Sequence, residues 1–164
     1  GFVSIKMQKF IPNTPTVNPD KEYFISGDVF IKRDFDVGRG IKEAFFISLL
    51  QKYDYFPRFI GYRVEKEFTE IALGKIEAET LENLKSKLTK EDKAEIQSQL
   101  VNIFGILQEL NIIHGDINES NLLYNQETKH LYLIDFEFAV KEVSDRDLTG
   151  PNWGIIHVLK FLNV

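Results

Sequence analysis

Two stretches of the sequence predict the fold: His114-Gly115-Asp116-Ile117-Asn118-Glu119-Ser120-Asn121, and Asp135-Phe136-Glu137 further on. Asp135 follows Asn121 by 14 residues. Asn121 and Asp135 offer hard oxygen ligands of the kind that Mg²⁺ prefers, and Asp116 offers a carboxylate that could orient a hydroxyl and accept its proton. Taken singly, Asp116 and Asn121 are also typical of turns, and His114 is typical of a histidine buried in a core. Taken together, the His, Asp and Asn of the first stretch and the Asp and Phe of the second indicate phosphoryl transfer.

Length and composition limit the number of domains and the class of protein. The chain has 164 residues, enough for one domain or for two small lobes that share a cleft. Its 43% hydrophobic and 27% charged residues are typical of a globular protein. The net charge of −5 is spread without a long run of one sign, so we expect no nucleic-acid partner. Cysteine is absent, which excludes disulfides and thiolate metal sites but indicates no compartment, and no window reaches the roughly 20 apolar residues of a membrane span. Cytoplasm is the default expectation, and a removed targeting segment or secretion into a host cell stays open.

Residue types predict strands in the first half of the chain, and periodicity predicts one long helix in the second. Aromatic and β-branched content predicts strands at 2–11, 22–26, 29–32, 59–64 and 68–73, with a loop at 12–20, a Gly27-Asp28 hairpin turn, a loop at 34–40 and a helix at 41–52 that carries Glu43 in its first turn. Thr89 and Asp92 fit a capping box, and the apolar residues after them recur every three or four positions, as on one face of a helix. Short strands at 121–124 and 131–134 around a polar turn, and a helix at 153–162, complete the prediction.

The pattern HxDxxxxN followed by Asp-Phe-Glu resembles the catalytic loop and the metal-binding DFG position of the protein-kinase-like superfamily. This resemblance implies ATP with Mg²⁺ or Mn²⁺ as cofactors, with Asn121 and Asp135 on the metal and Asp116 as the catalytic base beside His114. The family also has a β3 lysine paired with a helix glutamate. Lys32 in Val29-Phe30-Ile31-Lys32 fits the lysine, and Glu43 fits its partner. Without the motif downstream, Lys32 could equally end a strand in solvent, and Glu43 could simply favour a helix N-terminus.

The segment from Ile71 to Leu81 resembles the strand and hinge that bind adenine. The resemblance implies that Leu73 and the backbone of Gly74, Lys75 and Ile76 face the base. Phe30 stands where the family has alanine, on the same strand face as Lys32. Its ring would either stack on adenine or obstruct it, and obstruction would make the chain a pseudokinase.

Several positions depart from the family pattern. No glycine-rich loop precedes Lys32, Gly115 stands where regulated protein kinases have arginine, Asn118 replaces a common lysine, and Glu137 replaces the glycine of DFG. The missing arginine implies activity that needs no phosphorylated activation loop. The combination of HGD and DFE is similar to choline and aminoglycoside kinases, lipopolysaccharide-core kinases and RIO-type kinases.

The resemblance implies an α+β, bilobal, protein-kinase-like fold: one kinase-like domain with a small antiparallel-sheet N-lobe and hinge at 1–76 and a strongly truncated, mainly helical C-lobe at 77–164. We expect an atypical serine/threonine protein kinase with a protein substrate, since a folded acceptor can supply the binding surface that a small C-lobe lacks. A small-molecule kinase and a pseudokinase binding module stay open as alternatives. The oligomeric state is open as well.

Overall fold

The computed structural model describes residues 8–10, 20–142 and 154–163. The chain divides into two compact units, one comprising 1–52 with 57–76 and the other 53–56 with 77–164. A sheet with one helix forms the first unit, and a long helix with short strands forms the second, so the predicted α+β class is confirmed. In the part of the chain that the structure describes, no helix is both long and apolar enough to cross a bilayer.

The first unit is built on a five-stranded antiparallel sheet with the order β1-β2-β3-β5-β4. Its strands are β1 (Gln8–Phe10), β2 (Lys21–Ser26), β3 (Val29–Asp34), β4 (Phe59–Val64) and β5 (Thr69–Gly74). Ser26 pairs with Val29, so Gly27 and Asp28 form the predicted two-residue turn, and Gly27 has the positive φ of 56° that such a turn needs. Of the strand predicted at 2–11, only 8–10 is described, and most of the loop predicted at 12–20 lies outside the described residues.

Helix α1 (Val37–Leu49) begins four residues earlier than predicted and ends three residues earlier. The predicted loop at 34–40 was therefore wrong in its second half, and Glu43 lies in the second turn of the helix. The Asp36 side chain caps the helix by accepting from the Arg39 N–H at 3.1 Å. A Cβ on Gly40 would lie 2.5 Å from the Thr69 Cβ, so this glycine allows the helix to approach β5 closely.

The second unit is organised around helix α3 (Lys90–Glu109). The predicted capping box is present, since the Asp92 N–H donates to the Thr89 hydroxyl at 3.0 Å and the Thr89 N–H donates to the Asp92 carboxylate at 3.1 Å. The predicted apolar stripe is buried as well. Around it lie β6 (Glu79–Thr80), α2 (Leu81–Leu84), a 3₁₀ turn at Lys85–Lys87, β7 (Ile112–Ile113), β8 (Leu122–Asn125), β9 (His130–Leu133), β10 (Val140–Lys141) and α4 (Gly154–Leu162). Strands β6, β7 and β10 and helix α2 were not predicted; they are two to four residues long, too short for a periodicity to show.

A buried carboxylate links the start of α3 to the β8–β9 hairpin. Asp92 is 1% exposed, and besides its capping role it accepts from Tyr124 Oη at 3.0 Å, Lys129 Nζ at 2.6 Å and Gln126 Nε2 at 3.1 Å. Burial by itself would raise the pKa of Asp92, but the hydrogen bonds from Lys129 and the other donors outweigh it and hold the pKa below its ordinary value. The carboxylate therefore stays charged inside the unit.

The segment Tyr53-Asp54-Tyr55-Phe56 leaves the first unit and packs within the second. The Leu133 N–H donates to the Tyr55 carbonyl at 2.8 Å, and the Phe56 ring meets the Phe136 ring edge to face at 5.7 Å. The Tyr55 ring also stacks on His130 at 5.5 Å. A segment between α1 and β4 thus belongs by its contacts to the unit that carries the HxDxxxxN motif.

Candidate active site

Lys32 and Glu43 form a buried ion pair in the first unit. Lys32 Nζ lies 2.9 Å from Glu43 Oε1 and 3.2 Å from Oε2, and the two residues are 5% and 1% exposed. Lys32 is opposite Tyr23 on β2 and Ile71 on β5, so it sits in the middle of the sheet and points to the face covered by α1. The structure therefore brings together the two residues that the sequence paired.

Phe30 lies two residues before Lys32 on the same face of β3. Its ring stacks on the Tyr23 ring at 5.8 Å with an interplanar angle of 24°. Across the ladder it is opposite Ile25 and Leu73. The aromatic side chain is thus packed against other side chains of the sheet.

The predicted hinge follows the end of β5. The Gly74 N–H donates to the Arg58 carbonyl and the Lys75 N–H donates to the Asp28 carbonyl, both at 2.8 Å. Among the described residues, no backbone carbonyl accepts from the Ile76 N–H. Of the three backbone N–H groups in the predicted hinge, two therefore already donate to carbonyls inside the first unit.

The loop from His114 to Asn121 in the second unit, predicted as the catalytic loop, holds Asp116 by two amide side chains. Asn121 Nδ2 donates to Asp116 Oδ2 at 2.9 Å and to its carbonyl oxygen at 2.8 Å. Asn118 Nδ2 donates to Asp116 Oδ1 at 3.1 Å and to the same carbonyl at 3.2 Å. Both carboxylate oxygens are therefore oriented from within the loop.

His114 connects the catalytic loop to the segment that follows β9. It has no exposed surface; its Nδ1 accepts from the Asp116 N–H at 3.0 Å, and its Nε2 lies 2.9 Å from the Ile134 carbonyl oxygen. These two contacts assign the neutral tautomer that carries its proton on Nε2. Burial lowers the pKa of His114, which keeps the ring neutral. The Phe136 ring completes the packing at 4.6 Å.

Asp135 lies directly after this junction. The Ile134 N–H donates to the Asn121 carbonyl at 3.0 Å, so the backbone before Asp135 is fixed to the residue that closes the catalytic loop. Asp135 has a φ of 69°, in the left-handed region that aspartate tolerates better than most residues. A sparsely populated backbone conformation at a site of predicted chemistry is typical of functional residues.

Gly115 has a steric role that is visible only in the folded structure. Its φ is 87°, and a Cβ there would lie 2.8 Å from the Phe138 carbonyl oxygen and 3.2 Å from the Phe138 Cβ. An arginine at this position would meet both obstacles. The position where regulated protein kinases have arginine is therefore occupied by glycine in a place where Phe138 leaves no room for a side chain.

Three residues next to the predicted site residues were given no role in the site from the sequence. Phe136, matched as part of the Asp-Phe-Glu motif, packs on His114, and Phe56 packs in turn on Phe136. Asn118 was noted for the lysine it replaces, not for its bonds to Asp116. The sequence does carry a signal for Asn118, because asparagine two residues after an aspartate commonly turns back to it, but none for Phe56.

In the described residues, no cluster of three or more histidine, aspartate or glutamate side chains could hold a metal by itself. Asn121 and Asp135 therefore do not form a self-sufficient metal cage. They fit a Mg²⁺ ion that takes its remaining ligands from phosphate and water, which is how Mg²⁺ is usually bound with nucleotides. The Asn121 amide nitrogen faces Asp116, which leaves the oxygen at the other end of the group.

A sheet with one helix and a buried Lys–Glu pair, joined in one chain to HGDxxxxN and DFE loops, defines a member of the protein-kinase-like superfamily. Within it the chain belongs to the RIO-domain family, whose profile matches residues 66–149, just over half of the chain. This is an atypical kinase family.

Two curated relatives of this chain are each named as the Bud32 subunit of a KEOPS complex. The chain is 40% identical over 52 residues to EKC/KEOPS complex subunit bud32 of Dictyostelium discoideum, which covers 32% of this chain and 21% of that protein. It is 28% identical over 101 residues to KEOPS complex subunit Bud32 of Pyrococcus abyssi, covering 62% of this chain and 44% of that protein. The chain thus spans less than half the length of either relative.

Proposed function

We propose that this protein is an ATP- and Mg²⁺-dependent phosphotransferase that transfers the γ-phosphate of ATP to a hydroxyl group of a protein. The observation that carries the proposal is the buried pair of Lys32 and Glu43 at 2.9 Å. A buried ion pair rarely stabilises a fold more than apolar residues of the same size would. Its presence beside the predicted nucleotide site therefore supports a role for the lysine charge in binding phosphate.

Each of the other predicted residues has a place in this proposal. Lys32, held by Glu43, contacts the α- and β-phosphates. Asn121 and Asp135 hold Mg²⁺, which neutralises the charge that develops on the phosphoryl oxygens. Asp116 orients the acceptor hydroxyl and accepts its proton. His114, with no exposed surface, acts through the two loops that it joins.

Adenine, in this proposal, packs against the aromatic face formed by Phe30 and Tyr23, whose rings already stack at 5.8 Å. Leu73 adds apolar surface. The carbonyls of the hinge and the Ile76 N–H are the groups that we assign to the edge of the base, since the Gly74 and Lys75 N–H groups donate elsewhere.

A protein acceptor is supported by the names of the relatives, both of which are subunits of a KEOPS complex. We propose that this chain likewise works in contact with other proteins. The HGD and DFE sequences favour a second candidate, transfer to a small alcohol, because the resemblance to choline and aminoglycoside kinases rests on those residues.

Nucleotide binding is the first test. We expect Mg²⁺ with ATP to raise the thermal midpoint of the wild-type protein, because a ligand that binds only the folded state stabilises it. Asp135→Asn should remove the dependence of that shift on Mg²⁺, whereas the surface variant Glu91→Gln should keep it. If Mg²⁺ and ATP produce no shift in the wild-type protein, both transfer proposals fail and a binding module is left.

Transfer is the second test. Radiolabelled γ-phosphate should appear on a generic protein acceptor, and Asp116→Ala should abolish that transfer while it leaves the thermal shift in place. Label on choline or an aminoglycoside, with none on protein, would replace the first candidate by the second.

A further inference from the structure

Asn118 makes the same pair of contacts to Asp116 as Asn121 does, from the other side. Each amide nitrogen reaches one carboxylate oxygen and the Asp116 carbonyl, at distances between 2.8 and 3.2 Å. The torsion that turns a carboxylate about its Cβ–Cγ bond is soft, so a donor on one oxygen alone leaves the plane of the group poorly defined. Donors on both oxygens define it.

The orientation of the Asn118 amide is itself fixed. Its Oδ1 accepts from the Ser120 N–H at 2.9 Å, which leaves Nδ2 as the end that faces Asp116. The Ser120 hydroxyl donates to the Glu82 carboxylate at 2.8 Å, and the Glu82 N–H donates to the Glu119 carbonyl at 3.1 Å. The loop that carries Asn118 is thus anchored to α2, so the amide is held before any substrate arrives.

Asn118 and Asn121 differ in what else they do. In the proposed function the Asn121 oxygen is a metal ligand, so the orientation of Asn121 depends on the metal as well as on Asp116. Asn118 binds no metal in that proposal, and among the described residues its side chain bonds only to Asp116 and to the Ser120 N–H. Each carboxylate oxygen has about two acceptor positions, so the two amide bonds leave room for an incoming hydroxyl.

We propose that Asn118 is a positioning residue, whose bond to Oδ1 fixes the carboxylate plane of Asp116 toward the acceptor hydroxyl. The inference rests on the proposed function. It also gives a physical reason for a neutral amide at this position: a donor shorter than lysine reaches back to Asp116 within its own loop, and the loop from His114 to Asn121 contains no lysine or arginine.

The sharpest test is Asn118→Asp, a substitution of nearly equal shape. The new carboxylate can still accept from the Ser120 N–H, so the turn is kept, but the donor to Asp116 is lost and a like charge stands in its place. Asn118→Ala removes the two bonds to Asp116 and the bond from the Ser120 N–H. We expect kcat to fall roughly 10- to 100-fold in either variant, with the KM for ATP unchanged, because misplacing a reacting group costs rates of that order.

Asn125 provides a matched control outside the site. Its Oδ1 accepts from the Glu127 N–H at 2.9 Å and its Nδ2 donates to the Glu77 carbonyl at 2.8 Å, so it makes the same kind of turn without touching Asp116. Asn125→Ala should keep the wild-type kcat at temperatures below its thermal midpoint. A wild-type kcat in Asn118→Asp, or an equal loss in Asn125→Ala, would overturn the assignment.

A measurement without turnover separates this inference from the proposed function. The side-chain NH₂ resonances of Asn118 and Asn121 should both shift in NMR spectra of Asp116→Ala, whereas those of Asn125 should not. Unmoved Asn118 resonances would overturn the inference even in an active enzyme. A wild-type protein that transfers no phosphate but shows the Asn118 shift would overturn the proposed function and leave the contact to Asp116 supported.

Discussion

Replacing Asp92 by alanine tests how the second unit is held together. The carboxylate is 1% exposed and accepts from four donors, so the substitution removes the bond from the Thr89 N–H in the capping box and leaves the Tyr124 hydroxyl without its acceptor. The Thr89 hydroxyl keeps its bond from the backbone N–H of residue 92, and loss of the other hydrogen bond costs about 1 kcal/mol. An unsatisfied buried hydroxyl costs about 1–3 kcal/mol. Lys129 is 39% exposed on its side chain and can return to water, so we assign no cost to it.

The sum is about 2–4 kcal/mol of unfolding free energy. At about 2–4 °C per kcal/mol for a chain of this size, the midpoint should fall by about 4–16 °C. Urea denaturation followed by far-ultraviolet circular dichroism measures the first quantity, and calorimetry measures the second. Glu91→Gln is the matched control, because Glu91 is an exposed acid next to Asp92 in the first turn of α3 and should change stability by less than about 0.5 kcal/mol.

The pH dependence of this difference has a defined sign. The folded pKa of Asp92 is lowered relative to the unfolded value of about 3.9, so its contribution is complete above roughly pH 5 and is lost as the pH falls toward the folded pKa. The gap between wild type and Asp92→Ala should therefore be constant from about pH 7 to 5 and shrink below about pH 4. A gap that is independent of pH down to about pH 3, or one no larger than that of Glu91→Gln, would refute the reasoning.

Further predictions concern the ion pair, two glycines and the buried histidine. Lys32→Met should destabilise the first unit by about 3–5 kcal/mol, because it leaves Glu43 buried without the ammonium; Lys32→Met combined with Glu43→Leu should recover most of that loss in urea titrations, and a double variant as unstable as the single one would contradict this. Gly115→Ala should lower the free energy of unfolding, because the φ of Gly115 is 87° and a Cβ there would meet a backbone oxygen. Gly105→Ala should raise the free energy of unfolding by about 0.5–1 kcal/mol, because Gly105 lies on α3 with open space at its Cβ position. Changes of the same sign in urea titrations of the two variants would contradict this prediction. Because burial lowers the pKa of His114, the unfolding free energy should fall as the pH drops below about 6.5, by up to about 1.4 kcal/mol per pH unit, and His114→Gln should lack that part of the slope.

Local chemistry is what the sequence predicts well in this protein. The Gly27-Asp28 turn, the Thr89 and Asp92 capping box and the stripe along α3 depend on residues close together in the chain, and all three are present. The start of α1 was predicted too late, since Gly38 and Gly40 have poor helix propensity and resemble a loop. The fold uses Gly40 to bring the helix against Thr69.

By itself the sequence determined the superfamily, because spaced histidine, aspartate and asparagine residues are required by a chemistry and are rarely found together for other reasons. It also indicated that Lys32 and Glu43 belong together, and the structure joins them at 2.9 Å. The roles assigned to these residues remain proposals that the substitutions above can test.

Tertiary structure alone decided which distant groups hold the motif in place. Phe56 reaches Phe136 across 80 positions of the chain, and the Phe138 backbone fills the space that makes Gly115 necessary. Contacts of this kind depend on how sheets and helices pack, and packing leaves no periodic trace in a single sequence. The folded loop likewise determines that Asp116 Oδ1 lies within hydrogen-bonding distance of Asn118.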